Sequence, residues 1–430
     1  MAQFYNGSQM EFGKNRVQFN KFDWSFFRFD KFDVYFYVGG QEQAVYAMRS
    51  SDRMLKELEK KLDYTMNKRF QIVIYNRLSD LRQSNIGAVT EEDYNTGGAT
   101  HIVGKKLILY FNGDYVEFEK QLKSGLTQVM INNMMFGGKL KDVIRNSTLL
   151  NIPPWFTGGL ISYLGRGWDA EINNVVKDGI TSGRWEKFNR LEGEEAIIAG
   201  HSLWKYVADT YGESTVSNIL YMTRISRNVD SGLMFVLGVS LKNLIAEWLN
   251  HYDKKFYRQE QKLKLPEEKP LNRVSKKPHP YCVYGAPTFS PNSRYLTYKK
   301  NDRGRIKVYI KDLQTGKKKV VFRQGYRSHR VMDHSYPIMT WHPSSELLTM
   351  VTEHRGEIKL LMYNLKTKKT DKKEIFYFQK VTSADYSKDG KSLAMTAVLE
   401  GRSDLYEYNI ISNTYDRITN DNFTDQDAKY

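Results

Sequence analysis

The rhythm of hydrophobic and polar positions changes near residue 266. Before it, short apolar and aromatic runs at 17–19, 24–29, 34–38, 70–75 and 106–111 read as strands, because β-branched and aromatic side chains recur there with partial alternation. Met48, Met54, Leu55, Leu58 and Leu62 lie near helical spacing and predict a helix over 44–62. Leu122, Leu126, Val129, Met130 and Met134 predict another over 117–135. Further helices are expected at 155–164, behind Pro153 and Pro154, and at 196–211, 216–227 and 241–257. Strands and helices that give way to helices alone predict an α+β lobe followed by a helical lobe.

Beyond Pro280 the helical patterns stop and a repeat begins. Thr288-Phe289-Ser290-Pro291, Thr340-Trp341-His342-Pro343 and Asp385-Tyr386-Ser387-Lys388-Asp389-Gly390 align, each an aromatic residue, then a turn, then a strand. The aromatic anchors stand 52 and then 45 residues apart, and so do Asp312, Asn364 and Asn409 near the end of a later strand. Two landmarks holding one offset argue against chance. Short strands with a period of roughly 40 to 50 residues are the mark of propeller blades.

The 430 residues allow two or more domains, and 40% hydrophobic against 27% charged residues excludes disorder as the main state. The net charge of +16 fits either an anionic partner or a basic surface spread over the chain. The densest basic stretch, 254–277, is interrupted by Glu260, Glu267 and Glu268 and by Pro266 and Pro270, so it reads as a linker, not as a nucleic-acid face. Cys282 stands alone, which excludes an internal disulfide and a multi-cysteine metal site. No apolar run reaches the ~18 residues of a membrane span. Met1-Ala2-Gln3 has no charged or apolar leader character, leaving a cytoplasmic protein or one whose leader has been removed.

The repeat over 281–430 resembles the TolB-like and dipeptidyl-peptidase-type propeller repeat, in which an aromatic-Ser-Pro-Asp-Gly-Lys turn opens each blade; here the Asp-Gly survives only as Asp389-Gly390. About three blades are expected, an incomplete ring, with Tyr430 where a fourth anchor would fall.

The first part of the chain resembles the gluzincin-type peptidase MA-like domain that often precedes such propellers in bacterial envelope proteins. The resemblance rests on the opening strands 24–37, the strand segment Ile72-Val73-Ile74-Tyr75, Pro154-Trp155-Phe156-Thr157-Gly158-Gly159-Leu160, Gly200-His201-Ser202-Leu203 and Leu237-Gly238-Val239-Ser240. It implies a mixed sheet with a helical lobe. In active members an HExxH helix places two zinc-binding imidazoles on one face with a Glu as general base, and a later Glu completes the ligands. The matching positions here are Ser124, Gly125 and Gln128, with Gly158 for the later Glu. No catalytic residue, metal or other cofactor is therefore expected. The eight His residues contain no i, i+4 pair, and neither Ser124 nor Ser202 lies in a G-x-S-x-G elbow.

The expected layout is a pseudo-peptidase domain at 1–262, a linker at 263–280 and propeller blades at 281–430. The expected function is non-catalytic protein binding or scaffolding, periplasmic or outer-membrane-associated, with a cytoplasmic location as the alternative. Protein partners of the envelope are implied, an outer-membrane or secretion assembly among them, with no specific nucleic acid and no transmembrane span. A divergent zinc metallopeptidase with relocated ligands is the competing enzymatic reading. Gluzincins bind extended peptide along a sheet edge without needing the metal for it. The strand before the vacated helix, Leu107, Ile108, Leu109, Tyr110 and Phe111, is the candidate edge or else an ordinary internal strand.

Overall fold

The computed structural model describes residues 18–84, 101–103, 106–137, 152–260, 282–326, 333–421 and 423–430. In the N-terminal part β1 (Ser25–Arg28), β2 (Phe32–Phe36), β3 (Phe70–Tyr75), β4 (His101–Val103) and β5 (Lys106–Tyr110) form one sheet in the order β1-β2-β3-β5-β4. β2, β3 and β5 are parallel, while β1 and β4 run antiparallel to their neighbours. A parallel strand is covered on both faces, so Ile72 to Ile74 and Leu107 to Leu109 are unbroken apolar runs, all buried. α1 (Gln41–Leu62) and α3 (Tyr115–Phe136) share one core with this sheet through Leu58, Ile72, Leu109 and Leu126. A short α2 (Leu78–Leu81) follows β3. α3 begins where Asp114 accepts the Val116 N–H at 2.8 Å and ends at Gly137, whose φ of 75° is the left-handed conformation that glycine tolerates.

The strand expected at 17–19 does not form at Gln18 and Phe19, and Val17 lies outside the described residues. The N–H groups of Phe19 and Asn20 both donate to Oε1 of Gln83, at 3.0 and 2.7 Å, so a side chain takes the place of a strand ladder.

The helical part runs α4 (Pro154–Arg166), α5 (Ala170–Thr181), α6 (Gly193–Tyr211), α7 (Ser214–Ser226), α8 (Val229–Leu237) and α9 (Leu241–Glu260). The hydrophobic pattern did not announce α5 and α8. Asn173, Asn174 and Gly179 dilute the first, and the second is one short apolar stretch around Gly232, whose bare Cα packs on Thr223. No single helix among the described residues is long and apolar enough to cross a membrane.

The expected linker at 263–280 lies outside the described residues. From Cys282 the chain forms three antiparallel sheets of four consecutive strands. The first holds β6 (Cys282–Phe289), β7 (Tyr295–Asp302), β8 (Arg305–Asp312) and β9 (Lys318–Gln324). The second holds β10 (Ile338–Trp341), β11 (Leu347–His354), β12 (Glu357–Asn364) and β13 (Thr370–Ile375). The third holds β14 (Lys380–Tyr386), β15 (Ser392–Leu399), β16 (Arg402–Asn409) and β17 (Thr414–Arg417).

The sequence landmarks have local physical causes. Four residues after each aromatic anchor the backbone turns left-handed, at Ser293 (φ 55°), Ser345 (φ 59°) and Gly390 (φ 75°). In the first and third turns the serine after the anchor also donates to the side chain two positions on, Ser290 to Asn292 and Ser387 to Asp389. Asp312, Asn364 and Asn409 each accept two backbone N–H groups, two and three residues on, which makes the same side-chain-closed turn in all three sheets. Arg303-Gly304, Arg355-Gly356 and Glu400-Gly401 all have positive φ, as two-residue hairpin loops require.

Candidate functional site

The helix α3, which holds the vacated motif positions Ser124, Gly125 and Gln128, lies between the sheet and the helical part, and α4 crosses it closely. Ser124 is fully buried, and its side chain fills the space where Gly165 of α4 would otherwise have a Cβ. Gly158, also on α4, faces Ile197 of α6, whose Cγ1 would lie 3.0 Å from an added Cβ. One residue on, Gly159 meets the backbone of Gly200 in α6, and Gly200 in turn abuts the carbonyl of Trp155. α4 and α6 thus cross with their backbones nearly touching, locked by the Trp204 indole N–H donating to the Phe156 carbonyl at 2.8 Å. This explains the Gly158-Gly159 and Gly200 pattern as packing.

The four motif positions do not fit zinc. Ser124 and Gln128 offer a hydroxyl and an amide, Gly125 and Gly158 offer nothing, and no imidazole, thiolate or carboxylate stands at any of them. A Cβ at 158 would press on the Ile197 side chain, 3.0 Å from its Cγ1. Among the described residues no three His, Cys, Asp or Glu side chains converge as a metal site would require.

The junction is nonetheless polar. The side-chain oxygens of Gln121, Ser124 and Gln128, with Nε2 of His201, are buried and make no hydrogen bond among the described residues. His201, on α6, is fully buried; its Nδ1 lies 2.8 Å from Ser162 Oγ, and Tyr163 and Trp168 flank its ring. Burial first, and the nearby Arg166 guanidinium second, push its pKa down to about 3, so the imidazole is neutral at neutral pH. Arg166 itself is held by Asp169 at 3.2 Å and by Glu171.

β5 is not the outer strand of its sheet. β4 folds back antiparallel outside it and pairs with Lys106, Leu107 and Ile108, while Leu109 and Tyr110 pair with Ile74 and Tyr75 of β3. Phe111 donates to the Tyr75 carbonyl at 2.8 Å, on the inner side. Leu107 and Ile108 are thus internal, because a three-residue strand that the hydrophobic pattern does not announce covers them, while among the described residues no strand pairs with Leu109, Tyr110 and Phe111 on that side.

A second feature went unseen in the sequence. A groove of about 1080 Å³ opens on the helical part between α8, α9 and the turn at 186–190. Leu241, Ile245 and Leu249, at i, i+4 and i+8, line one wall, and Met234 and Phe235, 49% and 72% exposed, line the other. The α9 stripe is visible in the sequence, but its meaning depends on α8, which was not anticipated.

The two parts of the molecule meet along the ends of β3 and β5. Arg77 donates to the Gly356 carbonyl at 2.7 Å, in the hairpin between β11 and β12. The Gln379 side chain bridges the parts, donating to the Gly39 carbonyl and accepting the Gly401 N–H, both at 3.1 Å. The Tyr115 hydroxyl donates to the Gly401 carbonyl at 2.8 Å, and Val398 of β15 belongs to the core of the N-terminal part.

The three sheets, their repeated turns and their apolar contacts define the C-terminal region, and residues 281–430 match the model of the TolB beta propeller domain. Residues 281–430 are a TolB-like β-propeller domain. No curated protein matches the chain. Solved structures that align with it include TolB from Acinetobacter baumannii, at 17% identity over 34% of this chain and 35% of that one, with a TM-score of 0.29. A putative dipeptidyl aminopeptidase IV from Bacteroides ovatus aligns at 15% identity over 35% of this chain and 30% of that one, with a TM-score of 0.28. Porphyromonas gingivalis dipeptidyl peptidase 4 aligns at 14% identity over 31% of this chain and 25% of that one, with a TM-score of 0.25. The chain therefore spans about a third of the length of that TolB and less of the two peptidases. The three sheets are blades 1, 2 and 3 of the propeller in chain order.

Proposed function

We propose that this chain is a non-catalytic, protein-binding component of the bacterial cell envelope, periplasmic or outer-membrane-associated, in which a gluzincin-like lobe without a zinc site is joined to a TolB-like propeller. The observation that carries the reading is the chemistry of the motif positions: Ser124, Gly125, Gln128 and Gly158 present no imidazole, thiolate or carboxylate, and Ser124 is buried against Gly165. Support for the lobe's ancestry comes from the mixed sheet with its antiparallel outer strand β4, and from α3 beneath it. In this reading the sheet edge open to an extended peptide is β4, and main-chain hydrogen bonds, not a metal, would hold the peptide there.

The test is metal content and proteolysis measured on the same preparation. Elemental analysis of the purified chain should show no stoichiometric zinc, and a general peptide library should remain uncut with or without added zinc. About one zinc per chain together with zinc-dependent cleavage establishes the metallopeptidase with relocated ligands instead.

A further inference from the structure

The groove between α8 and α9 has apolar walls and a charged rim. The two helices meet at a bend of 69°, so the walls splay and the groove is an open wedge. Ser231, Met234 and Phe235, at i, i+3 and i+4, turn one face of α8 into it, and Met234 and Phe235 are exposed. Leu241, Ile245 and Leu249 of α9 stand half-buried on the other wall. A single exposed apolar side chain is ordinary, but two on a ridge beside an apolar wall mark a contact surface.

The rim narrows what fills it. Glu186 and Asp230 are acidic, Lys187, Arg190 and Lys242 are basic, and none of the five makes an ion pair among the described residues. A polyanion or an anionic bilayer selects a rim of one sign. A rim of both signs, nearly balanced, suits a surface that carries the same mixture.

The order of the charges along α8 is more particular. Asp230 lies in its first turn, and Lys242 comes just past its end, in the first turn of α9. The helix rises roughly 10 Å between Asp230 and Leu237, which keeps the two charges apart within one chain. A two-fold axis crossing α8 lays the same helix of another copy antiparallel beside it. Asp230 of each copy then faces Lys242 of the other, and each ridge of Met234 and Phe235 enters the other's groove.

We propose that this groove is a self-association surface, in which α8 of a second copy of this chain packs antiparallel on α8 and fills the wedge against α9. The contact uses the same patch on both copies, so it closes at two. It involves no residue of α3 or of the blades, and it stands whether or not the lobe is free of zinc.

Sedimentation of the 430-residue chain tests this. With rising concentration its mass should move from 50.3 kDa towards twice that value. Phe235→Asp should weaken the dimer by roughly tenfold or more, because it sets a charge inside the apolar contact. Asp230→Lys alone, and Lys242→Glu alone, should weaken it by a similar factor, because each sets like charges against each other at both ends of the contact. Mixed together, these two charge variants should pair with each other, since both ends of the mixed contact again carry opposite charges. That recovery separates charge pairing from damage to the fold. A wild-type chain that is monomeric at every concentration overturns the proposal. So does a dimer indifferent to Phe235→Asp or to the charge reversals, or a mixture of the two folded charge variants that stays monomeric.

Discussion

His201 carries the clearest consequence at the scale of one residue. In the unfolded chain its imidazole gains a proton near the ordinary pKa of 6.5, whereas the fold keeps it neutral down to about 3. Between those values the unfolded state binds the additional proton. The stability tied to the neutral ring is therefore fully present above pH 6.5 and lost as the pH falls. One such proton corresponds to roughly 2 kcal/mol between neutrality and about pH 5. His201→Leu should flatten the acid limb of stability by about that amount, as measured by urea unfolding at the two pH values. An unchanged slope in the variant would mean that other groups set the acid response. The sequence placed His201 on a helix but gave no sign of its burial. That burial depends on Trp168 from the loop before α5 and on Tyr163 from α4, two residues that no helical period links to it.

At the scale of the element, the propeller turns were legible because their causes are local. The landmark spacing reflects side chains that close their own turns, Asp312, Asn364 and Asn409, and a left-handed residue at a fixed step from each anchor. Asp-Gly survives only where the left-handed residue is Gly390, yet Ser293 adopts the same backbone at a cost that glycine would not bear. Ser293→Gly should therefore stabilise the chain by about 0.5–1 kcal/mol. Gly390→Ala should destabilise it by about 1–3 kcal/mol, because a Cβ there is strained by φ and overlaps the His342 ring. Paired denaturant curves with equal slopes check both signs at once. The α3 prediction was legible for a similar reason, apolar residues from Leu122 to Met134 at helical spacing. β4 was not, since three residues carry no period, and with it went the strand that pairs outside Lys106 to Ile108.

At the scale of the whole molecule the sequence was silent, because the contacts that join lobe to propeller link residues some 300 positions apart, such as Arg77 with Gly356 and Gly39 with Gln379. They are built from backbone carbonyls reached by the side chains of Arg77, Tyr115 and Gln379, a pattern without any motif. Gly356 and Gly401 are both hairpin glycines by local necessity, and the lobe uses the bare backbone they leave: Arg77 lies where a Cβ on Gly356 would be, and Gln43 where one on Gly401 would be. Val398 continues the lobe's core into blade 3. The lobe and blades 2 and 3 should therefore unfold as one cooperative unit. Each hydrogen bond across the boundary contributes about 1 kcal/mol, more where the guanidinium is the donor. Arg77→Ala combined with Gln379→Ala removes bonds to Gly356, Gly39 and Gly401 together. It also takes the Arg77 cation from the buried Asp80, 3.1 Å away. Of these only the bonds to Gly356 and Gly39 cross the boundary, so the double variant should lose about 2–4 kcal/mol of coupling and split a single calorimetric transition into two, the propeller melting apart from the lobe. A variant that still melts in one transition, at a lower temperature, would place the coupling in the apolar contact of Val398, and Val398→Ala would then be the substitution that separates them.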